Sequence, residues 1–134
     1  MIKVNLIIFS FLSIINVLSA QIEAHDILKP VKAQLEAYNN GDIDNFLSQY
    51  SDSVKVLRYP DQLQYIGLEK MRIQYEGFFK ENPNLHCKLL NRIVQGNTVI
   101  DHEEVSISKD RNPFYAIAIY KVKYGLIEEV RFLY

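Results

Sequence analysis

The stretch Asn97-Thr98-Val99-Ile100-Asp101-His102-Glu103-Glu104-Val105-Ser106-Ile107 constrains the fold more than any other part of the chain. It is apolar at both ends and carries four consecutive ionisable side chains in its middle. As a strand, it sends alternate side chains to opposite faces. One face then carries Val99, Asp101, Glu103, Val105 and Ile107; the other carries Thr98, Ile100, His102, Glu104 and Ser106. The first set is the more apolar, which predicts that it looks inward and takes two carboxylates with it. A carboxylate in an apolar interior is costly unless it is paired or protonated. The strand therefore demands either cationic partners or a polar pocket.

The rest of the chain reads as one domain built to cover that strand. Residues 1–20 stand apart: Lys3, an apolar run from Val4 to Leu18, then the small residues Ser19 and Ala20. This is the layout of a secretory signal peptide. The run is short and interrupted for a membrane anchor, so cleavage after Ser19 or Ala20 is expected. The product is an exported domain over 21–134, periplasmic or secreted, with no stable membrane span. Losing Lys3 moves the formal charge from −1 to −2, which gives no basic surface for nucleic acid. Cys87 is the only cysteine, so packing rather than an internal disulfide must hold the domain.

Asp26 can cap a first helix in which Ile27, Val31, Leu35 and Tyr38 share a face. Asn39-Asn40-Gly41 ends it and Asp42 opens a short second helix, with Ile43, Phe46, Leu47 and Tyr50 facing inward. Val54–Tyr59 and Leu63–Ile66 read as a hairpin around Pro60-Asp61. Leu68–Lys80 reads as a third helix, stopped by Asn82-Pro83-Asn84. Leu85–Val94, Thr98–Ser108, Phe114–Tyr124 and Leu126–Tyr134 then form a long meander. The class is α+β, with a curved antiparallel sheet wrapped around three N-terminal helices and a conical hollow between them.

This order resembles the nuclear transport factor 2-like superfamily, in its SnoaL-like and ketosteroid-isomerase-like branch. The residues that carry the resemblance are Tyr38-Asn39-Asn40-Gly41-Asp42, Phe46 to Tyr50, Asp52-Ser53-Val54, Gly67, and the run from Asn91 to Glu103. It implies a cone-shaped fold with an inner pocket, and a homodimer formed through the outer sheet face. The isomerases of this branch use an Asp on the first strand, with a Tyr and a second acid as an oxyanion site. Those positions fall at Arg58, Gln34 and Ala118 here, so that machinery does not carry over; a supporting Tyr on the third helix matches Tyr75.

Asp101 and Glu103, roughly 7 Å apart along one face, are the main catalytic candidates, for acid/base work or for holding a cation. The competing reading leaves them at a sheet edge or pairs them with Arg58, Arg72 or Arg131. His102 titrates near neutrality and is a third candidate, although alternation points it outward, toward solvent or a dimer interface. Tyr38, Arg58, Tyr59, Tyr75, Val105, Ala118 and Tyr120 are the expected pocket lining, against a plainer role for each Tyr in core packing. His25 reads as solvated and His86 as structural. There is no His-x-His, no His-x-x-x-His and no Gly-rich phosphate loop, so no metal, nucleotide or other cofactor is expected. Nothing supports Cys87 as a nucleophile. Two functions stay open: a pocket protein for a small, partly apolar molecule, with acid/base chemistry of isomerase, cyclase or hydrolase type, and a non-catalytic dimeric binding or interaction module.

Overall fold

The computed structural model describes residues 27–134. The expected leader over residues 1–20, His25 and the expected cap at Asp26 lie outside the described residues. Helix α1 covers residues 27–40, α2 Ile43–Leu47 and α3 Leu68–Glu81. The strands are β1 (Tyr50–Arg58), β2 (Gln62–Ile66), β3 (His86–Gln95), β4 (Thr98–Ser106), β5 (Phe114–Lys123) and β6 (Leu126–Leu133). Tyr50, expected at the end of α2, instead opens β1, which starts earlier than its Asp52-Ser53 pair suggested.

Local chemistry sets the boundaries. Gly41 takes a φ of 64° just after α1, a conformation open to a residue without Cβ. Asp42 caps α2 by accepting from the Asn45 backbone N–H at 3.1 Å. The β5–β6 hairpin turns on Tyr124 and Gly125, both at positive φ (53° and 76°), as a tight turn with the strands' own twist requires.

The six strands form one open sheet in the order β2-β1-β6-β5-β4-β3. Every neighbouring pair is antiparallel except β1 and β6, which run parallel. Parallel neighbours need a long connection, and here β2, α3 and the meander supply it. The sheet curls over the helices, and an aromatic cluster locks the layers together. Tyr38 of α1, Phe46 of α2, Tyr50 of β1, and Tyr75 and Phe79 of α3 meet with ring centroids 4.7 to 6.4 Å apart.

Two details of β3 position the site. The first is a bulge at Leu90, between the pairs Leu89↔Glu103 and Asn91↔His102. One inserted residue reverses the face of everything beyond it. Cys87 and Leu89 face inward before the bulge, and Arg92 faces inward after it, opposite Asp101. The second is Asn39. Its amide donates to the Cys87 carbonyl at 2.9 Å, and its side-chain oxygen accepts from the Cys87 N–H at 2.7 Å. β3 is an edge strand, so Asn39 supplies the pairing that a further strand would give.

Replacing Asn39 by Ala leaves both backbone groups of Cys87 without that partner. Denaturant melts should show a loss of about 2 kcal/mol. A loss below about 0.5 kcal/mol would mean that water substitutes for the side chain.

Candidate functional site

Sheet register lays the concave face out in rows. Val99, Tyr120, Val130 and Val56 are lateral neighbours; so are Asp101, Ala118, Phe132 and Arg58; Glu103 faces Ala116. The small Ala118 and Ala116 leave room beside each carboxylate. Both Asp101 and Glu103 are buried, with 0% and 6% of their surface exposed.

Their environments differ. Arg92 grips Asp101 with both ends of its guanidinium, Nε to Oδ1 at 2.6 Å and Nη2 to Oδ2 at 2.7 Å. That planar fork satisfies both carboxylate oxygens. Asp101 is thus a structural ion-pair partner, not an open acid. Its partner is none of the arginines expected: Arg72 bonds Asp44 at 2.8 Å, Arg131 pairs with Glu129 and Asp61, and Arg58 lies over the Tyr134 ring.

Glu103 has no cation within ion-pair distance among the described residues. It accepts a long hydrogen bond from the Tyr120 hydroxyl at 3.5 Å, and the Cys87 thiol lies close enough to donate as well. Tyr120 in turn accepts from Gln34 Nε2 at 3.1 Å, and Tyr50 donates to Gln34 Oε1 at 3.1 Å. Burial pushes the Glu103 carboxyl up to about 7, and the negative charge of Asp101 adds to the effect; the Cys87 and Tyr120 hydrogen bonds and the more distant Arg92 oppose it. Burial also holds Tyr50, Tyr75 and Tyr120 well above the ordinary phenol range, so they stay hydrogen-bond donors. The Cys87 thiol is pushed up by burial and by Glu103, which keeps it from acting as a nucleophile.

Glu103 opens on an inner cavity of about 70 Å³, lined also by Gln34, Tyr38, Tyr50, Tyr75, Cys87, Val105, Ala116 and Tyr120. A larger vestibule of about 510 Å³ lies beyond, bounded by Val56, Leu57, Arg58, Gln64, Tyr65, Gln74 and Phe78. Tyr75, Phe132 and Tyr134 line both and form the partition between them.

Of the residues expected at the site, Glu103, Tyr38, Tyr75, Val105 and Tyr120 meet at the inner cavity, and Arg58 faces the vestibule. The others lie elsewhere. His102 is exposed on the convex face, its ring 6.2 Å from that of Tyr115, because it alternates with two inward residues; it cannot touch a molecule in the cone. Tyr59 is half exposed at the tip of the β1–β2 hairpin and lines neither compartment. Ala118 is packed beside Asp101, and Ala116 takes the cavity position expected of it. Gln34, Tyr50 and Cys87 line the inner cavity as well, which the sequence does not indicate for Tyr50 or Cys87. Gln34 had a signal: a polar residue one turn after Val31 on an apolar helix face.

Residues 31–130 match the model of the SnoaL-like domain. The chain belongs to the SnoaL-like domain family. No curated protein matches it. Solved structures of the same fold include an uncharacterised cystatin-fold protein of Novosphingobium aromaticivorans, 24% identical, with TM-score 0.74 over 81% of this chain and 97% of that one. A protein of Jannaschia assigned as a SnoaL-like polyketide cyclase is 13% identical, with TM-score 0.69 over 81% and 85%. An epoxide hydrolase of M. tuberculosis, described as LEH-like, is 17% identical, with TM-score 0.66 over 81% of each chain. These likenesses concern the fold.

The two carboxylates should respond oppositely to neutralisation. Glu103 has its ordinary value of 4.5 when unfolded and about 7 when folded. Between these, the folded state keeps a proton that the unfolded state has lost, so stability falls as pH rises from one to the other. The full penalty, on the order of 3 kcal/mol, applies above the folded value. Glu103→Gln should therefore gain stability over the parent at pH 8 and show little gain at pH 4. Asp101→Asn should lose about 3 kcal/mol at pH 7, because it strands a mostly buried guanidinium. Denaturant melts check both; losses in both variants at pH 8 would make Glu103 a structural group too.

Proposed function

We propose that this domain binds a small, partly apolar organic molecule in the cone and that Glu103 moves a proton on it. The observation that carries the reading is Glu103 itself: a carboxylate facing a cavity, without a cationic partner among the described residues, and held near neutrality by burial. A base with that affinity is half ionised at ordinary pH and is matched to proton transfer there. Tyr120, fixed by Gln34 and through it by Tyr50, orients the Glu103 carboxylate. The Tyr75 hydroxyl has no hydrogen-bond partner among the described residues, lines both compartments and stays protonated. It is placed to donate to an oxygen on which charge develops.

In this reading Glu103 takes a proton from an activated C–H or from water, while Tyr75 steadies the resulting oxyanion. Cyclase and epoxide hydrolase, the activities named for two of the fold relatives, both fit such a pair, at identities that carry only the fold. We also propose export of the domain and pairing through the convex face, where Ile93, Ile100 and Ile119 lie in one lateral row.

The probe 5-nitrobenzisoxazole tests the base directly. Loss of its C3 proton to a carboxylate turns the C–H electron pair into a nitrile bond, breaks N–O and releases a coloured cyanophenolate. The rate should rise with pH through about 7, and Glu103→Gln should lower it about 100-fold or more. A rate untouched by that substitution would contradict the assignment. Saturable binding without proton transfer would leave the domain a ligand-binding module.

A further inference from the structure

The vestibule adds a charge that the inner cavity lacks. Arg58 is the last residue of β1, and its register with Phe132 puts it on the concave side. Among the described residues it is the only one to line the vestibule with a charged side chain. Arg72, Arg92 and Arg131 each pair with a carboxylate, whereas Arg58 has none within ion-pair distance among the described residues. Its guanidinium instead lies 5.9 Å from the centroid of the Tyr134 ring. That cation–π contact places none of its N–H groups in an ion pair, so they stay available to an acceptor. Gln74, across the vestibule on α3, adds an amide.

We propose that the ligand of this pocket is a small amphipathic monocarboxylate, its acid group held by Arg58 in the vestibule and its apolar end inserted past the aromatic partition toward Glu103. This rests on the small-molecule reading of the cone given above. The charges fix the direction. With the Asp101 charge offset by Arg92, Glu103 leaves the inner end negative and repels an acid group, whereas Arg58 attracts one at the outer end. Three strand spacings separate β1 from β4 in the sheet order, roughly 14 Å between backbones, and the side chains reach in from both ends. One unpaired guanidinium balances a single negative charge. A phosphate dianion would call for a second cation, and among the described residues lining the vestibule there is none. Between the two ends, Phe132 and Tyr134 present ring surface to an apolar body.

The test compares 4-phenylbutanoate with its neutral amide, by calorimetry on the full chain at pH 7.5. The parent should bind the carboxylate at least about tenfold more tightly than the amide, with the preference shrinking as salt rises. Arg58→Gln should bring the two probes to within about twofold, and Arg58→Lys should restore part of the preference. Arg58 is exposed and unpaired, so neither variant should disturb folding. Equal binding of both probes by the parent, a preference that survives Arg58→Gln, or no binding of either probe at millimolar concentration would overturn the proposal. The outcome is separable from the fate of Glu103 as a base. Carboxylate preference without Glu103-dependent proton transfer removes the catalytic reading alone, and proton transfer without the preference removes this one alone.

Discussion

The two-pronged contact between Arg92 and Asp101 decides the character of the concave face. Two carboxylates on one side of one strand cannot both stay charged and unpaired in an apolar hollow. Among the described residues a single guanidinium reaches them, and its geometry serves Asp101. That cation is then committed. What reaches Glu103 is mainly the remaining negative charge of Asp101 on top of the cost of burial, and both push its proton affinity up. One ion pair thus gives two carboxylates of similar sequence context different surroundings, Asp101 bound to a guanidinium and Glu103 facing a cavity without one.

Much of this was legible in the sequence. Period-two alternation on β4 correctly separated the inward Val99, Asp101, Glu103 and Val105 from the outward His102. The helix and strand order followed from caps, glycines and apolar spacing. The identity of the cation did not follow. It depends on the bulge at Leu90, which turns Arg92 inward, and no glycine or proline marks that bulge. Arg58, Arg72 and Arg131 were equally plausible partners on paper. Tyr59 lies outside the cone for a simpler reason: β1 ends at Arg58, and Tyr59 sits in the turn at the hairpin tip, half exposed. Asn39 illustrates a wider limit. Its place before Gly41 reads as a helix stop, and nothing local reveals that its amide also pairs with β3, 48 residues away.

The polar network behind Glu103 follows the same logic of scarce partners. Gln34 can donate and accept at once, so it joins two buried tyrosine hydroxyls, accepting from Tyr50 on one side and donating to Tyr120 on the other. That leaves the Tyr120 hydroxyl free to point its proton at Glu103. The SnoaL-like fold supplies the cone, but the fold alone does not choose a reaction. The chemistry available here is set by a buried acid at the closed end, a donor at the partition and a free cation at the mouth.

Carboxyl-carbon NMR on the protein labelled at its glutamate side chains tests the raised proton affinity of Glu103 most directly. One resonance, missing in Glu103→Gln, should titrate with a midpoint near 7, well above the ordinary glutamate value of 4.5. A midpoint for that resonance at or below 4.5 would show Glu103 to be solvated or ion-paired, and would contradict the division of roles between it and Asp101.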